Sequence, residues 1–299
     1  MKRTLVITIA SDKANRSQTL KEFTDGLNTG TDVFGYAVIQ QVVFRITAGV
    51  LSVSLQGQEV RDQFDVIHLR NHDKYPDYAN ALRVYADASG IHIVNRADAV
   101  LPYFGKLSQG ALLAVNDVPT PDLLTCFGNQ ELLAELASEN WPYPFVVKHN
   151  EGIRGVDNFL VQDAAALQQA LAQAKPGFVA QPYIKNSGEL RVLTFGDILP
   201  PLVFQKTAVA GTYLNNTSQG GTAKLVARED IPANIMRDAF RAAELMGREI
   251  AGVDVILAVN GSYKILEVNS TPAIASGVYL GEKRDLYRQY FAALDMGTS

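Results

Sequence analysis

The sequence has little cysteine, little net charge and no long hydrophobic run. Its 299 residues include one cysteine, Cys126, so an internal disulfide framework is excluded. Lysine and arginine number 27 against 31 aspartates and glutamates, which gives a formal net charge of −4. This balance argues against a nucleic-acid binder that relies on bulk positive charge. The roughly 20 consecutive apolar residues of a membrane span are also missing.

The N-terminus has a superficial likeness to a secretion signal. Lys2 and Arg3 precede the apolar run Thr4–Ala10, but polar residues 11–16 stand where a cleavage site would follow. We therefore interpret the run as a buried first strand. A cytoplasmic protein with no membrane partner is the expectation.

What is present is enough apolar material for large cores, since 47% of residues are hydrophobic and 19% are charged. Strands alternate with helices over the first hundred residues, a pattern typical of a mostly parallel α/β sheet. Helices are predicted at Ser17–Leu27, Tyr75–Ser89, Gly105–Ala114, Asn129–Glu139, Ala164–Ala174 and Ile231–Glu249. Strands are predicted at Leu5–Ala10, Val42–Val53 (a pair), Asp65–Leu69, Ile91–Val94, Pro144–Val147, Asn158–Val161, Phe178–Ile184, Leu190–Phe195, Leu202–Lys206, Gly252–Leu257 and Tyr263–Val268, with a turn at Asn186–Gly188.

The last predicted hairpin carries the most chemistry. Its two strands flank Asn260-Gly261, a strong two-residue turn signal. Glu267 and Asn269 alternate onto one face of the second strand, and the turn folds Asp254 back beside them. Unpaired carboxylates in apolar strands are costly, and a hard divalent cation such as Mg²⁺ would offset that cost. The alternative is an exposed polar hairpin face.

Two lysines stand before segments that could bind phosphate. Lys148 ends an apolar strand and precedes the loop 149–155, whose two glycines would let backbone N–H groups approach an anion. An ordinary hairpin loop is an equally good interpretation. Lys106 begins a predicted helix and, taken alone, reads as a solvated residue. The sequence carries neither a Walker A loop nor a GxGxxG fingerprint.

Taken in chain order, these residues resemble the ATP-grasp superfamily, and most closely the RimK-like carboxylate–amine ligases. The resemblance covers about residues 95 to 280. It rests on Lys106, Lys148, Gln181-Pro182-Tyr183-Ile184, Gly188-Glu189-Leu190-Arg191, Asn216-Thr217-Ser218-Gln219-Gly220-Gly221, Asp254 and Glu267-Val268-Asn269. It implies an ATP-grasp fold with an N-terminal α/β domain at 1–100, a central lobe at 101–184 and a C-terminal lobe with the metal site at 185–299.

The resemblance also implies where ATP and metal bind. Lys106 and Lys148 would contact the phosphates, and Glu189 the ribose hydroxyls. The adenine edge would be read by the backbone of Gln181, Pro182, Tyr183 and Ile184. One or two Mg²⁺ (or Mn²⁺) ions would be held by Asp254, Glu267 and Asn269.

The implied reaction is ATP-dependent joining of an amino acid to a carboxylate through an acyl phosphate. Arg191 would clamp the transferring phosphoryl group or the oxyanion, Lys148 would neutralise charge, and Asn216 would position the reacting groups. Cys126 needs no role in this chemistry. The sequence leaves two alternatives open: a synthetase of the glutathione-synthetase or D-Ala–D-Ala-ligase type, and a non-catalytic ATP-binding module.

The expected partners are ATP, an amino acid and a carboxylate, the last on a small molecule, a peptide or a carrier-protein tail. A homo-oligomer is left open, and no nucleic acid is expected. Two departures from the family pattern stand out. Asp157 occupies a place where a glycine is common, and Leu214-Asn215 stands where a basic residue is common. We expect Asp157 to turn outward or the phosphate loop to be altered.

The N-terminal region offers one further candidate. Arg70, His72, Asp73 and Lys74 follow the strand Asp65–Leu69, at an edge where ligands often bind in α/β sheets. Between a substrate role and a solvated loop, we expect the solvated loop.

Overall fold

The computed structural model describes residues 1–10, 16–96, 105–152, 157–172, 176–207 and 221–295. It has mixed α/β architecture, which confirms the predicted fold class. Within the described ranges, no helix combines the length and apolarity needed to cross a membrane.

A four-stranded parallel sheet organises the first part of the chain. Its strands are β1 (Arg3–Thr8), β2 (Val33–Val38), β6 (Val66–Leu69) and β7 (His92–Val94), in the order β2-β1-β6-β7. A small antiparallel sheet is formed by β3 (Val42–Thr47), β4 (Val50–Leu55) and β5 (Gln58–Glu59). The helices of this part are α1 (Arg16–Asp25), α2 (Val60–Gln63) and α3 (Pro76–Ser89), with 3₁₀ turns at Ile39–Gln41 and His72–Lys74.

The middle of the chain builds a four-stranded antiparallel sheet in the order β10-β9-β11-β8. Its strands are β8 (Leu124–Thr125), β9 (Phe145–His149), β10 (Asn158–Val161) and β11 (Phe178–Pro182). Three helices accompany it: α4 (Lys106–Val115), α5 (Asn129–Ser138) and α6 (Ala164–Ala172). The predicted β9–β10 hairpin is confirmed.

The last part contains a five-stranded antiparallel sheet in the order β14-β13-β12-β15-β16. Its strands are β12 (Asn186–Phe195), β13 (Leu202–Thr207), β14 (Thr222–Val226), β15 (Ile250–Ala258) and β16 (Tyr263–Asn269). Two helices, α7 (Ala233–Leu245) and α8 (Leu280–Ala293), and a 3₁₀ turn at Arg228–Asp230 complete it.

Two glycines lie where the chain changes direction, one at the end of a helix and one in a hairpin turn. Gly90 has a φ of 70° and ends α3, while Gly261 has a φ of 83° in the β15–β16 turn. Both backbones lie in the left-handed region that glycine tolerates best.

Two predicted boundaries were wrong. The Asn186–Gly188 turn is instead the start of β12, where a register irregularity between Asn186 and Glu189 absorbs the turn-forming residues. The helix predicted over Ile231–Glu249 is shorter at both ends. Its last turn is followed by Gly247 at a φ of 62°, which lets the chain leave the helix before β15.

The faces of β12 explain how the sheet combines a core with a polar site. Leu190 and Val192 are buried in the core beneath α7, whose apolar residues recur at helical spacing. On the opposite face, Leu193 and Phe195 pack in the core that includes Tyr287 of α8 and residues of β1 and α1. Alternation therefore puts Glu189 and Arg191 on that same face, beyond the apolar packing.

Candidate active site

Neighbouring strands bring four charged side chains together on the five-stranded sheet. Arg191 on β12 lies opposite Asp254 on β15, and Glu189 on β12 lies opposite Lys206 on β13. Because Glu189 and Arg191 are two residues apart, both point to one face. Cross-strand register alone thus assembles two acidic and two basic groups, which we call the charge cluster.

Asp254 is the centre of the charge cluster. Arg191 donates to it through two nitrogens, with Nε–Oδ1 at 2.5 Å and Nη2–Oδ2 at 2.6 Å, and Lys206 Nζ lies 2.7 Å from Oδ1. Burial works to raise the pKa of the Asp254 carboxyl, but the Arg191 and Lys206 charges outweigh it and hold that pKa below its usual range. The same carboxylate raises the pKa of Arg191 against the opposing effect of burial.

Glu189 pairs with Lys206, the same lysine that contacts Asp254. Its carboxylate accepts a hydrogen bond from Lys206, and its pKa is raised by burial and then by the Asp254 charge. The ribose role implied for Glu189 stays a prediction, since its neighbours here are Lys206 and Asp254. Lys206 itself was missed by the sequence analysis. A lysine in the apolar strand Leu202–Thr207, opposite a glutamate, was the available signal.

Glu267 and Asn269 complete the hairpin face as the sequence predicted. Glu267 lies opposite Asp254, and Asn269 donates through its amide nitrogen to Asp254 Oδ2 at 3.1 Å and to the Gly252 carbonyl at 3.2 Å. Among the described residues, the Glu267 carboxylate forms no hydrogen bond or ion pair. It lies within the electrostatic field of Lys106, Lys148 and Arg191.

The donor set of this hairpin face fits a hard divalent cation. Asp254 and Glu267 offer carboxylate oxygens on adjacent strands, and the hydrogen bonds of Asn269 use its nitrogen rather than its oxygen. In the described part of the chain, no three His, Cys, Asp or Glu side chains are grouped as metal ligands. The chain therefore offers a partial oxygen site, of the kind that Mg²⁺ occupies together with water and phosphate oxygens.

Lys148 lies on the other side of this polar region, on β9. Its Nζ donates to Gln181 Oε1 of the neighbouring strand β11 at 3.0 Å. Burial, followed by the Lys106 charge, lowers the pKa of Lys148 to about 8. No carboxylate among the described residues lies within ion-pair distance, so its charge is left for an anion.

Lys106 is the first residue of α4, and the chain that follows β9 docks against it. Its Nζ donates to the carbonyls of Gly152 at 2.8 Å and Asn150 at 3.3 Å, while Asn150 Oδ1 accepts from the Leu107 N–H at 2.9 Å. Burial lowers the pKa of Lys106. The two lysines are thus both half-buried, near one another, and bound to neutral oxygens.

The predicted adenine strand lies beside Lys148. β11 ends at Pro182, and the Tyr183 N–H donates to the Pro144 carbonyl at 3.3 Å. The Ile184 carbonyl accepts from the Asn186 side chain at 3.0 Å. The adenine contacts stay a prediction. Asn216 lies outside the described residues.

The loop after β6 differs from the expectation. Arg70 and His72 are 5% and 3% exposed, so the solvated-loop prediction was wrong for both, because the loop packs against residues 271–272. Asp73 and Lys74 do form a more exposed ion pair with each other. Asp157 is exposed with a φ of 54°, which agrees with the outward orientation expected for it.

Comparisons with known proteins identify relatives of this chain. The chain matches the family described as RimK-like ATP-grasp domain over residues 105–284. It is 31% identical over 236 residues to a probable alpha-L-glutamate ligase of Xanthomonas euvesicatoria pv. vesicatoria. The aligned residues cover 77% of each chain.

Two solved structures share the fold at low identity. The ATP-grasp ligase PsnB, with a phosphomimetic variant of its minimal precursor, Mg and ADP, has a TM-score of 0.68 and 16% identity over 98% of this chain and 99% of that one. D-alanyl-alanine synthetase A of Vibrio cholerae has a TM-score of 0.68 and 14% identity over 97% and 96%. The chain belongs to the RimK-like ATP-grasp family and is an ATP-grasp ligase of the ADP-forming class that makes C–N bonds.

Proposed function

We propose that this enzyme joins the amine of an amino acid to a carboxylate, using ATP and Mg²⁺, through an acyl-phosphate intermediate. The observation that carries the proposal is the charge cluster of Glu189, Arg191, Lys206 and Asp254, set beside Glu267 and near Lys106 and Lys148. A triphosphate needs cations on one side and metal-holding carboxylates on the other.

In this proposal Lys106 and Lys148 bind the ATP phosphates, with the adenine along Gln181–Ile184. Asp254, Glu267 and Asn269 hold one or two Mg²⁺ ions, and Asn216 positions the reacting groups. When bound, the metal would neutralise charge on the phosphates. Desolvation lowers the pKa of both half-buried lysines, and neither forms an ion pair with a carboxylate among the described residues; a bound phosphate would supply that partner.

The chemistry has two steps. A substrate carboxylate oxygen attacks the γ-phosphorus, ADP leaves, and an acyl phosphate forms. The neutral amine then attacks the acyl carbon, inorganic phosphate leaves with the bonding electron pair, and the amine proton is released. Arg191, held by two hydrogen bonds to Asp254, would stabilise the charge that develops in both steps.

The amino acid that we favour is L-glutamate, because curated relatives are named probable alpha-L-glutamate ligases. The carboxylate could belong to a small molecule, a peptide or a protein tail. A cytoplasmic location, where ATP and Mg²⁺ are available, accompanies the proposal.

The test is ADP release with Mg²⁺ and ATP, over a panel of amino acids that includes L-glutamate and D-alanine, each with small and peptide carboxylates. We expect ADP to form only when both an amine and a carboxylate are present. ATP binding without ADP formation under every condition would instead favour a non-catalytic ATP-binding module. Turnover with D-alanine alone would favour the D-Ala–D-Ala-ligase alternative.

A further inference from the structure

Arg70 is a buried cation that the proposed chemistry does not use. It follows β6 and is 5% exposed, and its Nη2 donates to the Pro272 carbonyl at 2.8 Å. Its Nε and Nη1 are buried without a hydrogen-bond partner, and no described carboxylate pairs with it. Burial lowers the pKa of the guanidinium to about 10. Leaving buried N–H groups of a charged side chain unpaired is destabilising.

The position of Arg70 connects it to the charge cluster. Pro272 follows Asn269 by three residues, in the segment that leaves β16. A methyl group placed on Gly252 would lie 3.0 Å from Arg191 Cδ and Nη1 and 3.1 Å from Pro272 Cβ. Arg191 and Pro272 therefore flank the same backbone position, and Arg70 donates to the carbonyl of that proline.

A second buried cation holds the other end of the same segment. Lys283 of α8 is 6% exposed, and its Nζ donates to the Ser276 carbonyl at 2.9 Å and lies 5.4 Å from the Phe204 ring centroid. Burial and then the Arg191 charge lower the pKa of Lys283 to about 8. Within the part of the chain that the structure describes, this lysine also has no ion-pair partner. The segment 270–277 thus lies in a positive environment at both ends.

A structural role alone does not require the charge of Arg70. The segment is already tied to the N-terminal region by the Asn71 N–H, 3.2 Å from Thr271 Oγ1, and by Asn95 Nδ2, 3.2 Å from the Ser270 carbonyl. A neutral donor could replace the single Arg70 hydrogen bond without the desolvation cost of a guanidinium. The buried charge is therefore better explained by an anion than by the contact with Pro272.

We infer that Arg70 binds a carboxylate of the amino-acid substrate beside Arg191, which makes it a specificity-determining residue supplied by the N-terminal region. The inference rests on the proposed function for the identity of that substrate. The guanidinium has unpaired donors at Nε and Nη1, and each of them can donate one charge-assisted hydrogen bond to a carboxylate oxygen.

The first test separates binding from structure. Arg70→Met keeps an extended side chain and removes the charge, while Arg45→Met removes an exposed arginine of the same region. We expect the melting temperature of Arg70→Met to equal or exceed that of the wild type, because an unpaired buried charge is lost. L-glutamate, added with Mg²⁺ and a non-hydrolysable ATP analogue, should raise the melting temperature of the wild type and Arg45→Met by roughly 3 °C. It should not raise that of Arg70→Met.

The second test uses kinetics, with L-glutamate as the varied substrate. Losing a charge-assisted hydrogen bond should raise KM for L-glutamate about 10- to 100-fold in Arg70→Met. The expected change in kcat and in KM for ATP is less than about threefold. The KM of Arg70→Lys for L-glutamate should lie between those of the wild type and Arg70→Met, because lysine keeps the charge but not the planar guanidinium.

Three of the four outcomes that would overturn the inference concern L-glutamate: no thermal shift of the wild type with L-glutamate, the same shift in Arg70→Met, or an Arg70→Met enzyme with a lowered melting temperature and an unchanged KM. A wild-type shift obtained equally with inorganic phosphate would also overturn it, because the site would then bind phosphate. Absence of ADP release by the wild type would contradict the proposed function, whereas the thermal shifts report on Arg70 without turnover.

Discussion

The two sides of the candidate active site handle charge in opposite ways. On the five-stranded sheet, Arg191 and Lys206 are both bound directly to Asp254, within 2.7 Å. On the four-stranded sheet, the hydrogen bonds of the two lysines to described residues go to neutral oxygens: Lys148 donates to the amide oxygen of Gln181, and Lys106 at the start of α4 donates to backbone carbonyls. One side is neutralised by its own residues and the other is not.

The difference in charge pairing suggests that the two sides of the site have different roles. A half-buried lysine without a carboxylate partner is stabilised when an anion binds, so this side is suited to binding phosphate. An arginine fixed by two hydrogen bonds is already oriented, so the other side is suited to stabilising charge during reaction. Substitutions on the two sides should therefore affect different measurements.

Asp254→Asn should have the largest effect, because one substitution removes a carboxylate that we propose to hold the metal and also the ion-pair partner of Arg191 and Lys206. We expect ADP release to fall about 1,000-fold or more. Leaving Arg191 without its ion-pair partner, and Lys206 with Glu189 alone, should lower the free energy of unfolding by about 3 kcal/mol. Initial-rate ADP assays and urea denaturation measure the two effects.

Asp87→Asn is the matched control for that variant, since Asp87 pairs with Arg83 and Arg96 at the surface of α3. Surface pairs contribute little, so both measurements should stay near wild type. An Asp254→Asn enzyme with wild-type stability would show that the ion pairs do not hold the cluster together.

Glu267→Gln should separate metal binding from stability. Glu267 forms no ion pair with another described residue, so its loss should barely change the free energy of unfolding. Turnover should fall about 100-fold, with a higher Mg²⁺ concentration needed for half-maximal rate. Glu244→Gln, on the exposed face of α7, is the control for removing a glutamate. An unchanged Mg²⁺ dependence in Glu267→Gln would refute the metal assignment.

The hairpin that carries Asp254 and Glu267 shows how much of the site could be predicted from the sequence. Apolar periodicity and the Asn-Gly turn were enough to predict the hairpin and to place both carboxylates on one face. Strands β1, β6 and β7 of the parallel sheet and the β9–β10 hairpin were predictable for the same reason, because apolar runs and turn signals mark them, whereas β2 was not among the predicted strands.

What the sequence could not provide are the register of neighbouring strands and the contacts between residues far apart in the chain. Lys206 enters the cluster because β13 pairs with β12 in one particular register, and a one-residue shift would turn it away. Arg70 donates to the carbonyl of Pro272, 202 residues further along. A lysine in an apolar strand is a local signal, but its partners depend on how whole sheets pair and pack.

Lys148→Met tests the phosphate side through pH. The pKa of about 8 means that Lys148 loses its proton as pH rises through 8, while a solvated lysine keeps it to about 10.4. Wild-type affinity for a non-hydrolysable ATP analogue should therefore be highest below pH 8 and roughly tenfold weaker at pH 9 than at pH 7. In Lys148→Met the affinity should be low throughout, with a flatter pH profile.

Lys21→Met, which removes an exposed lysine of α1 paired with Asp25, is the control and should keep the wild-type profile. Calorimetric titration at several pH values provides the measurement. An equally steep profile in Lys148→Met would move the titrating group elsewhere, to Lys106 in the first instance, because burial lowers its pKa as well.

Gly252→Ala should have the smallest effect, and it tests whether the position of Arg191 matters for the reaction. The new methyl group would lie 3.0 Å from Arg191 and 3.1 Å from Pro272, so one of them must move by a few tenths of an ångström. If Arg191 acts in the reaction, kcat should fall by up to about tenfold while ATP affinity is kept. Gly110→Ala is the control, because its methyl group would lie an ordinary 3.7 Å from Leu123. It should leave kcat unchanged and stabilise α4 by about 1 kcal/mol.

A Gly252→Ala enzyme that loses ATP affinity instead of kcat would mean that the phosphate-binding side and the Arg191 side of the site do not act separately.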